Sequence, residues 1–372
     1  MRAIKREFYK VKRFLALLLK LLSSSSKKII IYTRDHPIYF ALEEKKDSKY
    51  LFVYIKITSP DLNKIEKYLI KKAAVIHADA ISFPNPYLNK DFIVECEGRP
   101  NNSFFSDARI KKVLVESRSA GGEYLSDGAA LLCYPSIQPH TIKKKKNTPY
   151  ITLLCVGHGG YLKGYDVLYR LYKTLSKTHK IKLIIAGSLG HNFLYYPEIT
   201  KEAYDRENFG SIYQDLKNDE NVIIRSFKRA ELLNKIYYEA DIYLHFCRME
   251  TFGYSILEAM SFGLPIVSTN FKAVPEMVEH NKNGYLMYSN GYNGEVRDYV
   301  TDINSKEWGE NCYNEALPYL INLIENDSLR NKLGENSLKI VIEKFNLDHK
   351  ISLLEHLYTD IIEKGVEITP NA

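Results

Sequence analysis

The sequence predicts an α/β protein with two doubly wound, Rossmann-like domains, and two observations support this. In each half of the 372-residue chain, short apolar segments of strand length alternate with helical or polar segments, which is typical of parallel sheets covered on both faces. The alternation stops once, in the lysine-rich stretch PHTIKKKKNT. We therefore predict a first domain over residues 1–140, a linker over 141–149, a second domain over 150–345, and a C-terminal helix over 346–372 that returns toward the first domain.

The first half opens with a basic amphipathic segment, which is followed by six apolar strands. Read as a helix, residues 4–22 carry one apolar stripe and separate lysines and arginines. We favour a domain helix that covers a sheet, and an interfacial helix that touches an anionic membrane stays open as the alternative. The predicted strands are KIIIYTR, YLFVYIKI, AVIHADAISF, DFIVECEG, KKVLVES and AALLCYPSI.

The second half repeats the alternation more regularly. A strand, YITLLCVG, precedes a helix from residue 164 to 179, and the later strands are KIKLIIAG, NVIIRSF, DIYLHFC, LPIVSTN and NGYLMY. Residues 191–219 are too long and too polar for a tight crossover, so we expect an insertion there. The chain is predicted to be helical from Trp308 to about Lys364.

Composition and charge limit the classes of function that the chain can have. The hydrophobic content of 45% suits packed cores, and the net charge of +7 makes anionic partners plausible. Nucleic acid is not an expected partner, because the sequence lacks basic runs interleaved with base-stacking aromatic residues. The longest apolar run is too short to span a bilayer and contains Lys20. The five cysteines include no Cys-x-x-Cys pair, so we expect buried free thiols and a reducing, cytoplasmic location.

A glycine cluster, VGHGGYLKG, lies between the first strand of the second half and its helix. It contains Gly157, His158, Gly159 and Lys163, and such a turn lets backbone amides approach an anion. The order Lys163-Gly164 excludes a P-loop, and the spacing of the glycines excludes the dinucleotide fingerprint G-x-G-x-x-G. A plain strand-to-helix turn with an exposed lysine remains the alternative for this segment taken alone.

A second turn follows the strand DIYLHFC and carries two glutamates. Glu250 precedes the turn Phe252-Gly253-Tyr254, and Glu258 lies one helical turn after Tyr254 on the same face. The amides of Gly253 and Tyr254 can face the same crevice as the glycine cluster, because both turns follow carboxyl ends of strands. The two carboxylates suit sugar or ribose hydroxyls, whereas the alternative is that both are solvated surface charges.

Together these motifs carry a family resemblance. The segment from Glu250 to Val267 resembles the Glu-x7-Glu signature of retaining nucleotide-sugar glycosyltransferases of family 4, which have the GT-B fold, two Rossmann-like domains facing a cleft. The glycine cluster resembles that family's Gly-Arg-Leu-x-x-x-Lys-Gly segment. The resemblance implies that Lys163 holds the donor diphosphate, that the amides of Gly253 and Tyr254 bind its distal phosphate, that Glu258 binds the ribose, and that Glu250 contacts the transferred sugar.

The first half is similar to the same family more loosely. The family's opening strand, which carries a glycine-rich loop, has no counterpart in this sequence. We therefore expect a shortened N-terminal domain. Glu97 stands where the family has a histidine that contacts the donor sugar, and His158 stands where it has an arginine. Glu97 is therefore a candidate catalytic residue, with a solvent-facing glutamate as the alternative. Phe227 is a candidate for the base pocket, although a core position is the alternative.

The function implied is transfer of a sugar from a UDP- or GDP-linked donor to a hydroxyl of a glycan or lipid-linked acceptor, with retention of configuration. No cofactor is expected, and no metal, because the chain has no Asp-x-Asp motif. A role in cell-surface polysaccharide synthesis and peripheral contact with an anionic membrane are further expectations. The alternative is a catalytically silent GT-B subunit that binds nucleotide sugar or a partner glycosyltransferase.

Overall fold

The fold is described from a computed structural model. The described residues are 19, 26–33, 48–57, 62–80, 89–140, 148–188, 200–206, 208–287 and 304–364. The basic N-terminal segment, apart from residue 19, and most of the predicted linker lie outside them, as does the start of the predicted insertion. None of the helices in these ranges combines the length and the apolar character that crossing a membrane requires.

The chain divides into two compact units. Unit 1 contains Met1–Ser136 and Leu347–Ala372, and unit 2 contains Ile137–Asn346. Each unit is built on one six-stranded sheet, and every strand pairing recorded in the two sheets is parallel. This confirms the α/β class predicted from the alternation of strands and helices.

Unit 1 has the strand order β2-β1-β3-β4-β5-β6. Its strands are β1 (Lys28–Tyr32), β2 (Tyr50–Tyr54), β3 (Val75–Asp79), β4 (Phe92–Cys96), β5 (Ile110–Val115) and β6 (Ala130–Leu132). Its helices are α1 (Lys64–Lys72), α2 (Arg118–Gly121), α3 (Glu123–Ser126) and, after unit 2, α12 (Leu347–Thr359), with a 3-10 turn at Asn102–Phe105 and a π-helical turn at Asp360–Lys364. The central strands are buried and apolar, as a sheet covered on both faces requires.

A buried polar network fixes α12 to the sheet of unit 1. Lys350 Nζ donates to Glu95 Oε1 at 2.7 Å, and His77 Nε2 lies 3.1 Å from Glu95 Oε2. The other ring nitrogen of His77 is 2.8 Å from the Tyr358 hydroxyl. Lys350 and Glu95 are almost completely buried, so the charge of each depends on the other.

Unit 2 has the strand order β12-β11-β10-β7-β8-β9. Its strands are β7 (Ile151–His158), β8 (Ile181–Ser188), β9 (Val222–Arg225), β10 (Ile242–His245), β11 (Ile266–Thr269) and β12 (Gly284–Met287). Numbered along unit 2, this is the Rossmann order 3-2-1-4-5-6, whose direction of winding reverses between the first and fourth strands. In unit 2 these are β7 and β10, so the sheet has its topological switch point between them.

Helices flank the sheet of unit 2. They are α4 (Tyr165–Leu175), α5 (Lys201–Arg206), α6 (Phe209–Lys217), α7 (Arg229–Glu231), α8 (Tyr237–Glu239), α9 (Tyr254–Ser261), α10 (Lys306–Glu325) and α11 (Asp327–Lys344). A π-helical turn at Leu232–Ile236 joins α7 to α8, and 3-10 turns occur at Gly160–Lys163 and Val274–Glu276. In open α/β sheets, ligands bind outside the carboxyl ends of the strands at the switch point. The loops after β7 and β10 are therefore the expected ligand-binding loops of unit 2.

Candidate functional site

The loop after β7 is a tight glycine turn that places Lys163 at the switch point. Gly159 and Gly164, with φ of 111° and 67°, flank the 3-10 turn Gly160–Lys163, and α4 begins at the next residue. A Cβ atom on Gly164 would lie 2.0 Å from the carbonyl oxygen of Phe246. Glycine is therefore required at 164, because the loop packs directly against the end of β10.

Lys163 and Glu250 are paired across the switch point. Lys163 Nζ lies 3.0 Å from Glu250 Oε2, and His245 Nε2 lies 3.4 Å from the same carboxylate oxygen. The side chains of Lys163 and Glu250 keep 18% and 16% of their surface exposed, so a ligand can reach both. The sequence suggested that both residues contact the same donor, but it did not indicate this direct pair.

Both partners are charged near neutral pH. Burial alone would raise the pKa of Glu250, but Lys163 and His245 outweigh it and hold that pKa well below its usual value. Burial alone would lower the pKa of Lys163, but Cys247 and Glu250 outweigh it and hold that pKa well above its usual value. The site therefore presents a fixed ammonium and a fixed carboxylate side by side.

The loop after β10 leads into the N-terminus of α9. Gly253 precedes α9 with φ of 98°, and no side chain caps the helix. The first amides of a helix lack intrahelical acceptors and carry the positive end of the helix dipole. Phe252, next to Gly253, is buried beneath the turn and packs near Tyr254 and Phe345.

Glu258 lies one turn into α9 and is held by two side chains. Tyr237 donates its hydroxyl to Glu258 Oε2 at 2.7 Å, and Arg229 lies 2.5 Å from Glu258 Oε1. The Glu258 side chain is only 5% exposed. This carboxylate is therefore oriented by its neighbours and is not a solvated surface charge.

The two loops are joined by a buried arginine that the sequence analysis did not single out. The guanidinium of Arg248 donates to both oxygens of Asp166 and to the Tyr161 carbonyl, with distances from 2.6 to 2.7 Å. It also lies against the rings of Tyr161 and Trp308, and its backbone amide donates to Leu162. Arg248 thus links the glutamate loop to the turn that carries Lys163.

The other predicted residues have varied surroundings. His158 ends β7 and its Nδ1 lies 3.0 Å from the Ser188 hydroxyl, at an exposed position. Gly157, the residue before it, accepts a hydrogen bond from the Tyr165 hydroxyl. Phe227 is partly buried and stacks on Arg225, with 3.8 Å from the guanidinium carbon to the ring centre. Glu97 follows β4 in unit 1 and is partly buried.

His245, Cys247 and Glu250 form a compact group at the end of β10. One ligand atom from each lies within 4.8 Å of the others. Among the residues that the structure describes, these three form the cluster of metal-ligating side chains that could hold a metal ion. Burial alone would lower the pKa of His245, but Cys247 and Glu250 outweigh it and raise that pKa above its ordinary value.

Comparison with known proteins assigns unit 2 to a family. Residues 137–316 match the family model described as glycosyl transferases group 1. Unit 2 belongs to the glycosyl transferases group 1 family. The match covers both loops of the switch point, so Lys163, Glu250 and Glu258 all lie in the group 1 domain.

Individual relatives agree with this assignment. An uncharacterized glycosyltransferase of Methanocaldococcus jannaschii is 25% identical over 195 residues, which are 52% of this chain and 44% of that protein. The chain covers less than half the length of the first curated relatives that it matches. Their activities as whole proteins therefore enter below only as support for a proposal.

Solved structures share the fold of this chain. A glycosyltransferase from Rickettsia africae has a TM-score of 0.61 at 16% identity, and the match covers 95% of each chain. Anabaena HepE in complex with UDP-glucose has a TM-score of 0.60 at 14% identity, with 90% of this chain and 99% of that one covered. The chain has the GT-B fold of these glycosyltransferases, as the sequence predicted.

Proposed function

We propose that this chain is a glycosyltransferase that uses a nucleoside diphosphate sugar, with the donor bound at the switch point of unit 2. One observation carries the proposal: the Lys163 ammonium and the uncapped N-terminus of α9 lie at the carboxyl ends of the two strands where the sheet reverses its winding. A diphosphate is the ligand whose charge fits both groups. HepE, which has the same fold, was solved in complex with UDP-glucose.

Binding of a donor would break the ion pair between Lys163 and Glu250. A diphosphate beside Lys163 takes over part of its charge, which frees Glu250 to accept hydrogen bonds from hydroxyls of the transferred sugar. As the glycosidic bond breaks, negative charge grows on the leaving diphosphate, and the ammonium and the α9 amides stabilise it in place. This positive charge comes from the protein itself, so the proposed transfer uses no divalent ion.

Glu258 is proposed to bind the ribose of the donor. Its carboxylate is held by Tyr237 and Arg229, and each carboxylate oxygen retains a further acceptor position for a hydroxyl. Such an arrangement costs little entropy on binding, because the side chain is already ordered. His158 and Phe227 are proposed as weaker contributors to the phosphate and base ends, and Glu97 is proposed as a catalytic residue.

The acceptor is proposed to be a hydroxyl of a glycan or of a lipid-linked sugar, with retention of configuration in the product. Support for a membrane-proximal acceptor comes from the basic amphipathic segment at residues 4–22. Flotation with vesicles containing anionic lipid, comparing the full chain with one that lacks residues 1–22, tests this part. Equal recovery of the two forms would remove it.

The test of the donor site is slow hydrolysis of a panel of UDP- and GDP-linked sugars by the purified chain. We expect one donor to be hydrolysed above background, and Glu250→Gln and Glu258→Ala to abolish that activity. Glu279→Ala is the matched control, because Glu279 is exposed and pairs only with exposed Lys282 among the ion pairs described. Binding without hydrolysis of any donor would favour the silent-subunit alternative, and no binding would reject the donor site.

A further inference from the structure

A second kind of ligand fits the end of β10. His245 is the last residue of β10 and Cys247 lies two residues later, and both are at most 2% exposed. Glu250 follows in the loop, and its Oε2 is 3.4 Å from His245 Nε2. One ligand atom from each of the three lies within 4.8 Å of the others.

The His245 ring supplies an independent observation that points to a ligand. Its Nε2 atom is buried and has no hydrogen-bond partner of acceptable geometry, although buried polar atoms are nearly always satisfied. A tetrahedral zinc ion, with Zn–N of about 2.0–2.1 Å and Zn–O of about 2.0–2.2 Å, requires nitrogen and oxygen ligands about 3.4 Å apart. The observed separation of His245 and Glu250 already has this value.

We infer that His245, Cys247 and Glu250 bind a zinc-class divalent ion, and that this ion antagonises nucleotide binding at the neighbouring site. Imidazole, thiolate and carboxylate are ligands that zinc accepts, and three protein ligands leave a fourth position for water. On binding, the thiol proton of Cys247, and the proton of His245 when it is protonated, are released to solvent.

The antagonism follows from the position of Lys163, and this half of the inference rests on the proposed function. Lys163 Nζ lies 3.0 Å from the carboxylate oxygen that would coordinate the ion. A divalent ion on Glu250 repels the ammonium at short range in a largely buried site. Lys163 is then displaced from the position at which the proposed donor meets it, and the diphosphate loses that contact.

The site itself is tested without any nucleotide. The purified chain is dialysed against Zn²⁺ and the bound metal is measured, and in parallel Co²⁺ is added and the thiolate-to-cobalt charge-transfer band is recorded. We expect one zinc ion per chain and a cobalt band. Cys247→Ser and His245→Gln should lose both signals, whereas Cys312→Ala, which removes a buried thiol outside the cluster, should keep both.

Several outcomes would overturn the site. Absence of the cobalt band in the unaltered chain at saturating metal rejects it even if a variant fails to fold. If both Cys247→Ser and His245→Gln still bind one zinc ion per chain, other residues hold the metal, and the proposed site is also rejected.

The antagonism is tested by calorimetry with UDP and GDP in the presence and absence of saturating Zn²⁺. We expect zinc to raise the Kd of the nucleotide that binds at least 10-fold in the unaltered chain, and to have no effect in Cys247→Ser. Zinc that binds but leaves the Kd unchanged, or lowers it, overturns the antagonism. Failure of both nucleotides to bind without zinc would reject the proposed function, while the dialysis result would still decide the metal site.

Discussion

Arg248 and Asp166 form a bidentate ion pair in the interior of unit 2, with both carboxylate oxygens accepting from the guanidinium at 2.7 and 2.6 Å. Arg248 lies in the loop after β10, and Asp166 lies in the first turn of α4, just beyond Lys163. The pair therefore couples the two halves of the candidate donor site. It does so through side chains that need not touch a ligand.

Removing one partner of this pair is expected to destabilise unit 2 strongly. Arg248→Met leaves the Asp166 charge buried and uncompensated, which costs about 3–5 kcal/mol of unfolding free energy. The double variant Arg248→Met/Asp166→Leu removes both charges and should recover most of this loss. Urea unfolding measures both values, and Lys282→Ala, which breaks an exposed pair, is the control that should change little. A single variant as stable as the unaltered chain would contradict the coupling role.

Gly164→Ala is expected to disturb the turn that carries Lys163. The residue has φ of 67° and its Cβ would meet the Phe246 carbonyl oxygen at 2.0 Å, so the substitution combines left-handed strain of about 1–2 kcal/mol with a backbone clash. We expect lower stability in urea and weaker nucleotide binding. Gly210→Ala is the matched control, because it lies exposed in α6 with open space around it. That control should stabilise the chain by about 0.5–1 kcal/mol. Equal behaviour of the two variants would show that the turn tolerates a side chain.

The Glu95–Lys350 pair predicts how the stability of unit 1 depends on pH. Burial alone would raise the pKa of Glu95, but Lys350 and His77 outweigh it and hold that pKa well below its usual value. A carboxylate with a lowered pKa stabilises the folded state above its unfolded pKa of about 4.3, and the stabilisation is lost as the pH falls below that value.

Glu95→Gln removes this pH-dependent contribution. It should cost about 3 kcal/mol at pH 7, since Lys350 is left buried without its carboxylate. The loss of stability between pH 5 and pH 3 should be shallower in the variant than in the unaltered chain. Urea unfolding across this range measures both effects. Parallel pH profiles for the two proteins would contradict the assignment.

Tyr237→Phe is expected to loosen Glu258 without removing any charge. The lost hydrogen bond leaves the buried Glu258 Oε2 without its tyrosine donor, which costs about 1–3 kcal/mol of stability. If Glu258 binds the ribose, the Kd for the nucleoside diphosphate should rise as well. Tyr238→Phe, on the same short helix, is the control and should leave the nucleotide Kd unchanged. An unchanged Kd in Tyr237→Phe would indicate that Glu258 is ordered by Arg229 alone.

The sequence predicted the sheets well because buried parallel strands have a simple signature. The strands from β7 to β12 each appear as short apolar runs between helical segments, and their carboxyl-end loops carry the glycines and Glu250. The position of a loop after a strand is a local property, so Lys163 and Gly253 could be placed from the sequence. The pairing of Lys163 with Glu250 depends on which strands are neighbours in the sheet, which local pattern does not specify.

The residues that sequence reasoning missed are those whose partners are distant in the chain. Arg248 and His245 lie in the run DIYLHFCR, where polar residues at a strand end give no sign of being buried. Arg248 next to the glutamate motif was the available signal, because a buried arginine must find a carboxylate. In unit 1 the sequence drew attention to Glu97 and not to the buried Glu95, whose partner Lys350 lies 255 positions later in the chain.

Calorimetric titration of UDP and GDP into the unaltered chain, Lys163→Ala and Lys173→Ala tests the donor site most directly. Lys173 lies on α4, the helix that follows the turn carrying Lys163, and it pairs with Asp215 at the surface. It is therefore a matched control. We expect one nucleotide to bind. Lys163→Ala should weaken its binding about 10-fold or more, as loss of a charged hydrogen bond implies, and Lys173→Ala should leave it unchanged. Equal affinity in Lys163→Ala and the unaltered chain would show that Lys163 does not hold the diphosphate.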